Sequence, residues 1–214
     1  MDICTIKNII FDLLGNKKSH VWSENGNRYY HGQRVANLSL VLKRNIFPDD
    51  RGYDDILTVA AWFHDIMNMD GNHSIHAELG ASKAREALSG FCSDEDLDKI
   101  CDIIRIHDKV HDKAIKNDDG QHCLKLHQDA DILDHYGTFN IRASFLIQVS
   151  QNKPMSDIID VFRNICDDTD SVRKWLNYDL SKKVFDEKLL FLKGFTDRFI
   201  AENQGEIWDI NNLL

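Results

Sequence analysis

Two prolines, Pro48 and Pro154, are all that the 214 residues contain, so long stretches are free of the residue that most often stops a helix. Positive charge is short as well: 26 Lys+Arg stand against 35 Asp+Glu, a formal net charge of -9. That balance argues against a basic face for phosphate backbones, and no nucleic-acid partner is expected. No apolar run approaches the roughly 20 residues needed to cross a bilayer, so no membrane partner is expected either. The run from Ile6 to Leu14 is broken by Lys7, Asn8 and Asp12 and reads as an amphipathic first helix, not an export signal. Five cysteines, Cys4, Cys92, Cys101, Cys123 and Cys166, include no CxxC pair and follow no secretory leader. They read as reduced, packed thiols of a cytoplasmic protein. Glycine-rich phosphate loops, low-complexity tracts and fixed-period repeats are missing too.

What the chain does have is apolar residues returning at spacings of three and four, segment after segment. The pattern predicts an all-α protein with helices near 2–14, 28–45, 53–67, 74–89, 94–108, 121–136, 138–151, 155–166 and 181–203, with a further one over 169–178. Ser93 followed by Asp96 reads as an N-cap, and Asp54 or Asp55 as the cap of the helix ending near His64. Breaks fall at Gly15-Asn16, Pro48 to Gly52, Asp70-Gly71-Asn72 and Asn117 to Gly120. The length suits one domain over 1–214, with a motif-bearing core at about 20–145 and C-terminal helices over 150–205 packing on it.

Against that helical background one pair stands out. His64-Asp65 closes the apolar run from Ile56 to Phe63, where burying an imidazole beside a carboxylate costs several kcal/mol unless something pairs with them. A divalent cation meets that need. Four more positions carry the same mark, a metal-binding side chain beside apolar helical sequence: His31, His76, His107 and Asp131. Any one of these histidines alone is more simply a hydrogen-bonded core or surface residue; the argument lies in the set and its order.

That order resembles the HD-domain superfamily of metal-dependent phosphohydrolases, whose signature is His, then His-Asp, then a distant Asp, on a helical bundle. The segments YYHGQRV, AAWFHDI and QDADILDHYG are similar to the first, second and last motifs of YedJ-like bacterial HD hydrolases. The resemblance covers most of residues 20 to 145. It implies His31, His64, Asp65 and Asp131 around one ion and His76 and His107 on a second, with Asp65 bridging. Asp129 falls where a supporting residue lies, and Asp134 reads the same way.

Imidazoles and carboxylates without thiolate suit one or two Mn2+, Fe2+, Co2+ or Ni2+ ions, or Mg2+ where the imidazoles matter less. The implied reaction is hydrolysis of a phosphate ester or anhydride of a small metabolite, a nucleotide foremost, with Asp131 or Asp65 accepting the proton of the attacking water. Arg34, one turn after His31, is expected to reach either the substrate phosphate or a carboxylate of the site. His73, Lys109, Lys113 and Arg142 are further candidates for substrate contact. His111-Asp112 reads as solvated loop, and His20, His122, His127 and His135 as structural or exposed. The same six donors also resemble those of HD-fold di-iron oxygenases such as myo-inositol oxygenase, which cleave C-C or C-P bonds with O2. That alternative stays open, as does a nucleotide sensor without turnover.

Overall fold

The computed structural model describes residues 1–69, 74–112, 121–165 and 169–207, and the expected substrate contacts His73 and Lys113 lie outside them. In chain order the helices are α1 (Ile3–Leu14), α2 (Asn27–Ile46), α3 (Asp54–Phe63), α4 (His76–Leu88), α5 (Asp94–Ile106), α6 (His122–Asp134), α7 (Thr138–Ser150), α8 (Met155–Ile165), α9 (Thr169–Trp175) and α10 (Asp179–Asn203). Among the described residues no strand forms beyond an isolated bridge between Ser89 and Cys92. No helix there is long and apolar enough to cross a membrane. Cys4, Cys92, Cys101 and Cys123 are free thiols.

Helix α3 is the centre of the bundle. Ile56, Leu57 and Val59 through Phe63 are all buried, so it is apolar all round, as a helix enclosed by others must be. It touches α1, α2, α4, α5 and α6. Around it stand amphipathic helices; α5, capped by Ser93 Oγ accepting from the Asp96 N–H, turns Leu97, Ile100, Cys101, Ile103 and Ile104 inward. The long α10 packs on α6, α2 and α8. A second apolar group, Phe145, Phe162, Phe195 and Phe199, fills the space among the C-terminal helices, with Phe162 fully buried.

Two expectations about α3 are corrected. Its N-cap is Tyr53, at φ 67, and neither Asp54 nor Asp55. Asp54 is drawn instead to Lys43, whose buried ammonium lies 2.6 Å from Asp54 Oδ1 and also donates to the Gly52 carbonyl. The helix stops at Phe63, short of residue 67, and tightens into three-residue turns in which Ile66 N–H donates to Phe63 O and Asn68 N–H to Asp65 O.

Contact between α2 and α3 depends on Gly32. A Cβ there would meet Ala61 O at 2.9 Å and Trp62 Cα at 3.1 Å, both backbone atoms with no rotamer to yield. Gly80 plays a milder part on α4, where a Cβ would lie 3.2 Å from His64 O. We expect Gly32→Ala to destabilise the protein by about 1–3 kcal/mol, because overpacking outweighs the gain of about 1 kcal/mol in helix propensity. Thermal denaturation should show a lower midpoint, with a smaller fall for Gly80→Ala.

Candidate metal centre

Five elements deliver donors to one buried place at the heart of the bundle. His31 comes from the first turns of α2, His64 and Asp65 from the end of α3, His76 from the start of α4, His107 from the C-cap of α5, and Asp131 from the last turn of α6. All four imidazoles are buried.

Hydrogen bonds at the far side of three rings decide which nitrogen is bare. The His64 Nδ1–H donates to Ala61 O at 2.8 Å and the His107 Nδ1–H to Ile104 O at 2.7 Å. The His31 Nδ1–H donates to Asp134 Oδ2 at 2.8 Å. A carbonyl can only accept, so the Nε2 of His64 and His107 carries a lone pair in the neutral ring, and the same tautomer follows for His31 beside an ionised Asp134.

The bare nitrogens of His31 and His64 face one another at 3.1 Å, and that of His107 faces His76 Nε2 at 3.2 Å. Asp131 Oδ1 is 3.1 Å from His31 Nε2 and 3.6 Å from His64 Nε2, while Asp65 Oδ2 is 3.7 and 3.8 Å from the same nitrogens. The other oxygen of Asp65 looks the opposite way: Oδ1 is 3.5 Å from His76 Nε2 and 3.9 Å from His107 Nε2. Donors about 2.1 Å from a common ion stand about 3.0 Å apart at right angles and about 3.4 Å apart in a tetrahedron. Both sets fit cation coordination with modest closure, and Asp131 Oδ1 is a buried acceptor for which protein groups give no well-aligned hydrogen bond. The donor chemistry, nitrogen and oxygen without sulfur, suits a divalent ion.

The electrostatics ask for positive charge at the same spot. Burial would raise Asp65, but His64, Arg28, His31 and His107 outweigh it and hold its carboxyl below the usual range. Asp131 is held well down too, against burial, by the nearby rings of His135, His31 and His64. Burial disfavours a charged His64, yet Asp65 and Asp131 raise its pKa to about 9. Burial and then the His64 charge push His107 down and His127 well down.

Several supporting residues escaped the sequence reading. Arg28, one turn before His31, donates through Nη1 to Asp65 Oδ2, and Asn68 Nδ2 donates to Asp65 Oδ1 at 3.0 Å. His127, one turn before Asp131, is fully buried with its ring 4.9 Å from that of His64, and neither ring nitrogen has a hydrogen-bond partner. His135, one turn after Asp131, brings Nε2 to 3.6 Å from Asp131 Oδ1. A spacing of three or four from an expected ligand was the available signal for all of them.

Of the expected substrate contacts, Arg34 holds neither Asp65 nor Asp131. It makes a two-pronged bond to Asp134, with Nε to Oδ1 at 2.7 Å and Nη2 to Oδ2 at 2.8 Å, so it steadies the carboxylate that orients His31. Arg142 pairs with Glu24 at 2.5 Å, and Lys109 is exposed in the turn after α5. Asp129 accepts from the backbone N–H of Asn177 at 2.7 Å and of Tyr178 at 3.0 Å, fastening the start of α10. His111 is exposed and packs on Trp175.

A cavity of about 320 Å3 opens onto His31, Arg28 and His135 and is walled by Trp22 and Phe139. A larger one, about 610 Å3, between Lys43, Tyr53, Lys99 and Cys123, includes none of the donors. We expect calorimetric titration with Mn2+ to give two sites per chain, one site in His76→Ala and none in Asp65→Ala. Asp134→Asn should keep the sites and weaken binding by about 10–100-fold.

Comparison with known proteins identifies the fold. The family model described as "HD domain" matches residues 28–137. Among solved structures, an HD-superfamily hydrolase from Bacillus thuringiensis is 19% identical, with a TM-score of 0.68 and coverage of 95% of this chain and 97% of that one. Bacillus subtilis YpgQ in complex with ADP is also 19% identical, with a TM-score of 0.64 and coverage of 94% and 97%. The Lin1889 protein of Listeria innocua gives 19% identity, a TM-score of 0.62 and coverage of 94% and 95%. At these identities the likeness speaks to the fold alone. No curated protein matches the sequence. With the family match running from Arg28 past Asp131, and with His64-Asp65 as the pair at the centre of the bundle, the chain belongs to the HD domain family, the superfamily of metal-dependent phosphohydrolases that its motifs resemble.

Proposed function

We propose that this chain, a single cytoplasmic domain, hydrolyses a phosphate ester or anhydride of a small metabolite of the nucleotide class. The observation that carries the reading is the division of Asp65: Oδ2 faces His31 and His64 while Oδ1 faces His76 and His107. His31, His64, Asp65 and Asp131 would hold one divalent ion, and Asp65, His76 and His107 a second. Such ions, when bound, supply an acidified water and polarise a phosphoryl oxygen.

The chain's own groups account for the rest of the reaction. Asp131 is the more open of the two carboxylates, 21% exposed against 8% for Asp65, which suits it to take the proton of the attacking water. Asp134 and Arg34 keep His31 in one orientation, so the donor set needs no rearrangement as the reaction proceeds. The cavity beside His31 gives the substrate its route, and its size lies at the small end of pockets that enclose metabolites. The nucleotide class is supported by YpgQ, a protein of the same fold seen in complex with ADP. Mn2+, Co2+, Ni2+ and Mg2+ are the ions to test; a site filled with two irons would favour the oxygenase chemistry that uses similar donors.

Elemental analysis of the purified protein, followed by a phosphate-release screen over nucleoside mono-, di- and triphosphates, tests the proposal. Chelation should abolish turnover and added metal should restore it. His64→Ala and Asp65→Ala should each lose at least about 1000-fold in kcat, the scale of losing transition-state charge stabilisation. Undiminished turnover in either variant, or oxygen uptake with two bound irons and no phosphate release, would refute hydrolysis at this centre.

A further inference from the structure

Resting on the reading just given, we propose that Arg28 is the anion anchor of the substrate cavity, holding the phosphoryl group that is to be transferred to water. Three observations converge on it. Arg28 lines the cavity that also reaches His31 and His135, so it meets whatever enters from solvent. Its side chain is only 13% exposed, with Nη1 on Asp65 and Nη2 lying 3.2 Å from His20 Nε2. Its Nε is buried and has no acceptor. A buried donor left without a partner is unfavourable, and a small turn of the guanidinium, which lines the cavity, would bring that donor to an entering oxyanion.

The rival cations are already committed or turned away. Arg34 gives Nε and Nη2 to Asp134, lays its guanidinium over the Phe139 ring and does not line the cavity, Arg142 is paired with Glu24 at the surface, and Lys109 is exposed. Charge points the same way. Asp134 is matched by Arg34, which leaves Asp65 and Asp131 to face Arg28 and any divalent ion held by the donor sets. Even one such ion makes the buried cluster net positive, and two make it strongly so; an oxyanion offsets that excess. With about 320 Å3 available, the ligand is one phosphorylated metabolite of mononucleotide size, its phosphoryl end at Arg28 and its remainder toward Trp22.

The test is calorimetric titration of inorganic phosphate into the Mn2+-loaded protein, with Mn2+ titration alone as the companion measurement, for the parent protein, Arg28→Gln, Arg28→Lys and Arg34→Gln. Loss of a charge-assisted hydrogen bond predicts phosphate binding weakened by about 10–100-fold in Arg28→Gln, with Arg28→Lys between. Mn2+ affinity should be unchanged or tighter in both Arg28 variants, whereas Arg34→Gln should weaken Mn2+. In turnover, Arg28→Gln should raise KM for a phosphomonoester by the same factor. Unaltered phosphate affinity in Arg28→Gln would overturn the proposal. So would weakened Mn2+ binding there, which would make Arg28 a positioning residue for Asp65. A parent protein that takes up Mn2+ but not phosphate removes the anchor and leaves the metal centre standing; one that takes up no Mn2+ removes the underlying reading as well.

Discussion

Two lone pairs held about van der Waals distance apart repel, and with neutral rings His31 and His64 set Nε2 against Nε2 in this way, while the lone pair of His107 meets His76 Nε2 at 3.2 Å. Between them lies one carboxylate, Asp65, with an oxygen turned to each side. In a dry interior neither feature is tolerable without positive charge, and a single protonated ring at His64 meets only part of the demand. The remaining architecture serves to keep these groups from escaping one another.

The means of doing so is the helix end. A helix leaves its last carbonyls without intrahelical partners, and here two of them are taken by the very side chains that must be aimed. His64 donates to Ala61 O and His107 to Ile104 O, each reaching back three residues from the C-cap of its helix. Termination of α3 and α5 and orientation of their histidines are thus one event. The price of bringing α2 close enough is a missing side chain at Gly32, directly after His31.

Much of this was written in the sequence in the plainest code, apolar spacing. The helices expected from it agree with those formed, because periods of three and four in a chain with two prolines leave few other options. The six expected donors lie together because each sat beside an apolar stripe that had to turn inward. What the sequence hid were the long-range partners. Nothing local says that Arg34 reaches Asp134, 100 residues away, or that Arg28 reaches Asp65. The end of α3 was missed for a similar reason: propensity favours continuation to residue 67, and the bonds made by His64 and Asn68 overrule it. His127 read as an ordinary histidine because its burial depends on two rings from other helices.

The Asp129 carboxylate grips the backbone just ahead of α10, two residues from Asp131 on the same helix, and Asn177 Nδ2 adds a third bond at 2.9 Å. The C-terminal layer is therefore moored to the helix that carries Asp131 by a polar hawser as well as by greasy contact. Trimming the chain behind residue 176 would cut that mooring and leave a buried carboxylate, two residues from Asp131, stripped of the three bonds that satisfy it.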